Sequence, residues 1–455
     1  MAKKVKSVFV CQECGNESPK WMGQCICGAW NSLVEEKPVK NYTKSPTLTS
    51  STYPQPINKV KTANYERINT HIGELNRVLG GGLVKGSLTL ISGEPGIGKS
   101  TLILQASHKI AKNYGTVLYV SGEEAEEQIK MRAQRLNAIH ENIMVVSETN
   151  VDVIENYIKE IKPVFIIIDS IQTLFKPDLS SAPGSVSQVR ECSNVLMRIG
   201  KGNDIPIFIV AHVTKTGDLA GPRILEHLVD TVLSFTGERT QEFRVVRAVK
   251  NRFGTTSEIG VFEMKEEGLV EVGNPSEIFL ESLSPDVEGA IVVSSLEGTR
   301  PILLEIQALV APTNLGFARR TAVGIDLNRL NLMLAVLEKK VGLPLTNQDV
   351  YVNVVGGLKP EGTSSDLGLA LAIYSSMRGI SIETTKVLAI GEISLTGELR
   401  PVSHISKMIK EASKMGFKKC IVPYKSVRKM ENIDGIKIIG VKSLKEAING
   451  MFYSK

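Results

Sequence analysis

No run of eighteen consecutive apolar residues exists in this chain. That excludes a hydrophobic membrane-spanning helix, so no membrane partner is expected. The opening stretch Met1-Ala2-Lys3-Lys4-Val5-Lys6 carries charge but leads into no apolar segment before Cys11, unlike a secretory signal peptide. A cytoplasmic location is therefore expected. Cysteine is scarce, at six residues, and four of them fall within residues 11–27. Without a secretion signal, such a cluster points to metal rather than to disulfides. Neither sign of charge dominates. The formal net charge of +6 is a mild bias, compatible with nucleic acid without requiring it. No internal repeat is visible.

With 455 residues the chain exceeds one average domain. Residues 1–36 form a small cysteine-bearing module. Residues 37–64 lack any acidic residue, carry Lys37, Lys40, Lys44, Lys59 and Lys61, and are rich in Ser, Thr, Pro and Asn. They read as a basic, flexible linker. From 65 to 270, apolar runs such as 117–120, 164–168 and 207–210 alternate with helical patterns. That is the signature of an α/β domain with a parallel sheet covered on both faces. From 271 to 455 the texture changes. Strand-like runs at 290–293 and 302–310 precede a helical pattern at 328–341, which suggests a separate α+β domain.

The most informative segment is Gly93-Glu94-Pro95-Gly96-Ile97-Gly98-Lys99-Ser100-Thr101, between an apolar strand and a helical run. This is the pattern and context of a phosphate-binding P-loop. Glycines let the backbone curl so that its N–H groups face the phosphates, and the helix N-terminus adds partial positive charge. Lys99 is expected on the β- and γ-phosphates, and the Ser100 hydroxyl on Mg²⁺. The chain therefore binds a nucleoside triphosphate, expected to be ATP. Asp169 ends the apolar strand 165–168 and suits the Mg²⁺ shell. Glu123, at the end of the strand 117–120, is the candidate base for the attacking water, with Glu124 as runner-up. Lys250 and Arg252, one residue apart after another strand, suit cations that complete a neighbouring subunit's site. His212 ends a further strand and could sense the γ-phosphate or pack in the core.

Cys11-x-x-Cys14 and Cys25-x-Cys27 supply four soft thiolates on two turns, as tetrahedral Zn²⁺ requires. A module this small needs such a metal to fold. The second pair is one residue tighter than usual. Cys192 and Cys420 stand alone as ordinary buried thiols.

Together these residues resemble the bacterial RadA (Sms) family of DNA repair ATPases over the whole length. The resemblance is carried by Ser18-Pro19-Lys20-Trp21-Met22-Gly23, Gly28-Ala29-Trp30-Asn31, Glu74 to Gly82, the P-loop, and Ser121-Gly122-Glu123-Glu124. It continues through His212 to Lys215, Gly221 to His227, and Lys250-Asn251-Arg252-Phe253-Gly254. It implies a RecA-like motor core, similar also to DnaB-type helicases, in which Glu123 is the catalytic glutamate and Lys250 and Arg252 act in trans. It further implies a hexameric ring on single-stranded and branched DNA, driving branch migration with the recombinase RecA.

The C-terminal part looks like the proteolytic domain of Lon proteases, with Ser364 at the position of the Lon serine. Counted from the shared Pro401, however, the lysine position holds Ser406, and Lys407 is one residue away, about 100° around a helix. Protease activity is not expected.

Two loops are candidates for DNA contact, residues 175–190 and 215–223. A third candidate is the stretch 400–429, with nine Lys or Arg and one Glu, in which Lys407, Lys410 and Lys414 share a helical face opposite Met408. The rival readings are an ATP-dependent Ser–Lys protease and an ATP-switched regulator without motor activity.

Overall fold

The run Phe165-Ile166-Ile167-Ile168 shows how the larger sheet is built. In a computed structural model, which describes residues 8–11, 13, 15–36, 56, 58, 66–212, 224–237, 243–313, 316–356, 358–360, 362–428, 430 and 432–453, it forms the strand Phe165–Asp169 with all four apolar side chains buried. Phe165 and Ile167 join a core on one face of the sheet, and Ile166 and Ile168 join a core on the other. A strand covered on both faces must be apolar at every position, which explains the unbroken run. The first core takes Leu102, Ile103 and Ile110 from the helix Lys99–Asn113. The second takes Val189, Cys192 and Leu196 from the helix Val186–Asn203.

The chain divides into two compact units, Met1–Thr256 with Phe262–Glu271, and Ser257–Val261 with Val272–Lys455. In the first, a nine-stranded sheet has the order Gly268–Glu271, Ile259–Lys265, Phe243–Asn251, Thr231–Thr236, Leu88–Gly93, Ile207–His212, Phe165–Asp169, Val117–Ser121, Ile143–Ser147. The strands from Thr231–Thr236 to Ile143–Ser147 run parallel. The expected all-parallel sheet therefore continues into an antiparallel extension, because Phe243–Asn251 pairs antiparallel with Thr231–Thr236. The connection 237–242 is too short for the crossover that a parallel pair needs. Helix starts are capped where the sequence offers a cap. Asn150 accepts from the Asp152 amide and Ser185 from the Gln188 amide. The cysteine module adds a three-stranded sheet of Val8–Cys11, Glu17–Ser18 and Leu33–Glu36.

The second unit is built on a seven-stranded mixed sheet in the order Arg320–Val323, Gln348–Val354, Arg300–Pro312, Ala290–Glu297, Val387–Ala389, Lys419–Pro423, Lys437–Val441. The helix Leu327–Val336 runs on through a wider turn, Leu337–Val341, to Gly342, whose positive φ of 82° ends it. Among the described residues, no helix is long and apolar enough to cross a membrane. Cys14, the linker 37–64 apart from residues 56 and 58, the candidate DNA loop 215–223 and the His212 side chain lie outside the described residues.

Candidate active site

The strand Leu88–Gly93 delivers the P-loop to the start of the helix Lys99–Asn113. Gly98 sits at φ 116°, and a Cβ there would meet the Met264 methyl at 2.8 Å. Only glycine meets both demands. Ile97 is buried in the core and anchors the loop, while Glu94, Pro95 and Gly96 are exposed around it. No side chain caps the start of this helix, and a helix start of this kind suits an anion. Lys99 Nζ donates to the carbonyls of Gly93 and Glu94 at 2.7 and 2.9 Å. Burial lowers the Lys99 ammonium to about 8, against the pull of Asp169, Glu123 and Glu94.

Parallel pairing places Ser121 beside Asp169 at the same sheet edge. Ser100 Oγ donates to Asp169 Oδ2 at 2.8 Å, and the Tyr119 hydroxyl donates to the same oxygen at 2.6 Å. Tyr119 is buried, and this desolvation, then the Asp169 charge, pushes its phenol well above its usual range. It therefore remains a donor. Glu123 accepts a hydrogen bond from the Ser170 hydroxyl. Glu124 instead pairs with Arg132 at 2.6 Å. The two neighbouring glutamates are thus separated by their partners. Pro95, Thr101, Lys99, Glu123, Asp169 and Arg244 all border one cavity of about 530 Å³.

Three side chains of this site escape the sequence reading. Tyr119 lies inside an apolar strand, and Arg132 lies on the helix Glu126–Arg135, where charge is ordinary. Arg244 is buried and donates through Nε to the Ile97 carbonyl at 3.1 Å. Its strand, Phe243–Asn251, also carries Arg247 and Lys250, so its charge did not single it out.

The structure does not bring Lys250 and Arg252 to this P-loop. Thr231 is level with both Asn251 and Thr89, and the strand then rises from Thr89 to Gly93, roughly 13 Å. Lys250 Nζ donates to the carbonyls of Glu226 and Val229 at 2.7 and 2.8 Å. Arg252 pairs with Asp230 at 3.4 Å. Both cations therefore occupy the sheet edge opposite the chain's own phosphate loop.

Cys11, Cys25 and Cys27 place their sulfurs within 4.8 Å of one another. The Cys11–Cys27 separation of 3.9 Å is close to the roughly 3.8 Å edge of a tetrahedron with 2.3 Å zinc–sulfur bonds. The short second spacing is absorbed by the backbone. The Gly15 amide closes the first turn on the Cys11 carbonyl, whereas the Gly28 amide closes the second on Cys25, one residue tighter. The donor set fits Zn²⁺.

In the second unit, Ser364 is buried and its hydroxyl donates to the Ser294 carbonyl at 2.9 Å. A cavity of about 240 Å³ beside it is bordered by Thr363, Glu392, Ser403 and Met408, and by no lysine among the described residues. Lys407, Lys410 and Lys414 are exposed on the helix Ile405–Lys414, with Met408 buried beneath. Of the candidate stretch 175–190, residues 186–190 open the helix Val186–Asn203 rather than a loop, and Lys176 is already held by Asp152 at 3.0 Å.

Three family models match this chain. An AAA domain covers residues 53–218, a subunit ChlI of Mg-chelatase covers 327–426, and a rubredoxin metal binding domain covers 9–35. The DNA repair protein RadA of Bacillus subtilis is 53% identical over 451 residues, 98% of either chain. The chain belongs to the RadA family. RadA of Streptococcus pyogenes serotype M1 is 51% identical over 455 residues, 99% of this chain and 100% of its own. A solved KaiC-like protein from Pyrococcus horikoshii overlays with a TM-score of 0.39 at 22% identity, covering 46% of this chain and 99% of that one. As a RadA-family member, the chain carries an ATP-hydrolysing α/β core between a metal-binding ribbon and a ChlI/Lon-like domain.

Proposed function

We propose that this chain is an ATP-driven DNA motor of recombinational repair, promoting branch migration of recombination intermediates with the recombinase RecA. One observation carries the ATPase part: Lys99, Ser100, Asp169 and Glu123 share a single cavity. The DNA part is supported by relatives named DNA repair proteins. The domains are taken as 1–36, 37–64, 65–270 and 271–455.

The donor set fits ATP with Mg²⁺. The uncapped helix amides and Lys99 suit phosphates, and the oxygens of Ser100 and Asp169 suit a hard cation. When bound, Mg²⁺ neutralises charge on the β- and γ-phosphate oxygens. Glu123, held by Ser170, orients the attacking water and takes its proton. Glu124 is committed to Arg132 and holds the strand end in place. Lys250 and Arg252 complete a neighbour's site. A head-to-tail ring, hexameric by family resemblance, brings this edge of one subunit to the next P-loop. Cys11, Cys14, Cys25 and Cys27 hold a structural zinc.

The Lon-like domain is read as non-proteolytic. The Ser364 hydroxyl is turned to a backbone carbonyl, with no lysine along the adjoining cavity among the described residues. Its exposed face of Lys407, Lys410 and Lys414 suits duplex phosphates. The test is the ATPase rate with and without single-stranded DNA across a salt series. Stimulation that fades steeply with salt is expected. Hydrolysis indifferent to DNA would point instead to an ATP-switched regulator, and casein digestion would restore the protease reading.

A further inference from the structure

The chain has only two tryptophans, Trp21 and Trp30, and both are on the cysteine module. Both are exposed, Trp21 at 55% and Trp30 at 71%, with Ile26 at 80% beside them in sequence. Tryptophan is usually well buried, and an exposed aromatic cluster marks a surface that meets a partner. The cluster is held in place. Trp30 forms a backbone bridge with Gln24, and the Asn31 amide donates to the Gly23 carbonyl at 2.8 Å. A Cβ on Gly23 would lie 3.9 Å from the Trp30 ring and 4.0 Å from the Trp21 ring. The two ring edges therefore lie within about 8 Å of each other, across a residue without a side chain.

Charge selects the partner. Between residues 19 and 32 the only charged residue is Lys20, next to Trp21. Of the module's four acidic residues, Glu17, Glu35 and Glu36 belong to the three-stranded sheet and Glu13 to the first cysteine turn. The sequence on either side supplies Lys3, Lys4 and Lys6, then Lys37, Lys40 and Lys44. Exposed aromatic faces interleaved with cations are the composition of a single-strand binding surface, where bases stack and lysines follow the phosphates.

We propose that Trp21 and Trp30 form a stacking platform for the bases of single-stranded DNA. The proposal rests on the reading of the chain as a DNA motor, and it locates a contact outside the ATPase core. Because no other tryptophan exists, emission excited where tyrosine does not absorb reports on this patch alone. The experiment titrates zinc-replete full-length protein with an oligothymidylate, following tryptophan emission and, separately, the anisotropy of a labelled oligonucleotide. Saturable quenching that tracks the anisotropy is expected. Trp21→Ala and Trp30→Ala should each weaken binding about 5- to 150-fold. Trp30→Phe, which keeps a ring, should recover most of that loss. DNA-free ATPase and zinc content should stay unchanged in all three, which separates the effect from unfolding of the module. Oligonucleotide binding without any change in emission would overturn the platform while leaving the motor reading intact. So would an emission change produced by a protein partner and not by DNA. Absence of oligonucleotide binding at low salt would overturn both.

Discussion

Ser100 and Tyr119 donate to the same carboxylate oxygen, Asp169 Oδ2, at 2.8 and 2.6 Å. One residue lies in the first turn of the P-loop helix and the other mid-strand beside the Asp169 strand, so Asp169 is clamped from two elements. A carboxylate held through one oxygen presents the other in a fixed direction. Tyr119→Phe removes one clamp without a change of volume. The variant should need roughly tenfold more Mg²⁺ for half-maximal ATPase, within the range for a hydrogen bond to a charged group. Nucleotide binding without Mg²⁺ should stay unchanged. A Mg²⁺ titration of rate, beside fluorescent-nucleotide binding in chelator, measures both.

Lys99→Ala should abolish nucleotide binding, since it removes the cation expected on the β- and γ-phosphates. A pH dependence follows from its burial. In the unfolded chain the Lys99 proton is held to about 10.5, in the folded chain only to about 8. The folded pKa is the lower one, so the cost of burying the charge is fully present below pH 8 and is relieved as pH rises from 8 towards 10.5. ATP needs the charged form. Affinity should therefore be flat below pH 8 and fall above it, by up to about tenfold per unit. Calorimetry in buffers of different ionisation enthalpy should show proton uptake on binding above pH 8 and none near pH 7.

Glu123→Gln should bind ATP normally and hydrolyse it about 10²- to 10⁴-fold more slowly, because only water activation is lost. Glu124→Gln should act differently. It weakens the pair with Arg132, so its defect should be shared between binding and turnover. Single-turnover hydrolysis separates the two outcomes. If Glu124→Gln alone abolishes chemistry, the base is Glu124.

The phosphate loop was legible because its chemistry is local: glycines, Lys99 and Ser100 are consecutive, and strand and helix flank them. Asp169 was legible because a doubly buried strand ends on a charge. Glu123 and Glu124 could not be told apart by pattern, since both suit a strand end. Their partners, Ser170 and Arg132, are tertiary neighbours. Tyr119 and Arg244 were hidden for the same reason, because strand order, not spacing, brings Tyr119 to Asp169 and Arg244 to the cavity. The antiparallel extension of the sheet was missed because an apolar strand looks alike in either direction.

Removing zinc should unfold the cysteine module and leave the ATPase core intact. The module's buried cluster is little more than Cys11, Cys25 and Leu33, packed by Phe9. So small a core cannot replace the roughly 10–16 kcal/mol a structural zinc supplies. One zinc per chain is expected in reduced protein, held by Cys11, Cys14, Cys25 and Cys27. Chelation should blue- or red-shift tryptophan emission while DNA-free ATPase persists. Metal analysis showing no zinc in freshly purified protein would exclude the site.

Arg252 carries the sharpest prediction. It is about half exposed and pairs with Asp230, which also accepts from the Leu88 amide at 3.1 Å. Arg252→Ala therefore leaves Asp230 with a partner and should cost little stability. If Arg252 serves a neighbour, the variant should bind ATP yet lose hydrolysis by a factor of order 10³–10⁵. Lysine should not fully restore it, because an ammonium lacks the planar fork that grips two phosphate oxygens. Lys250→Ala is less clean, since the Lys250 ammonium also holds the Glu226 and Val229 carbonyls of its own chain. The decisive measurement mixes Arg252→Ala with Lys99→Ala subunits, each inactive alone. Interfaces that join the intact P-loop of the first to the intact Arg252 of the second should regain activity. Mixed rings that form and stay inactive would return Arg252 to its own subunit, as a partner of Asp230 and nothing more.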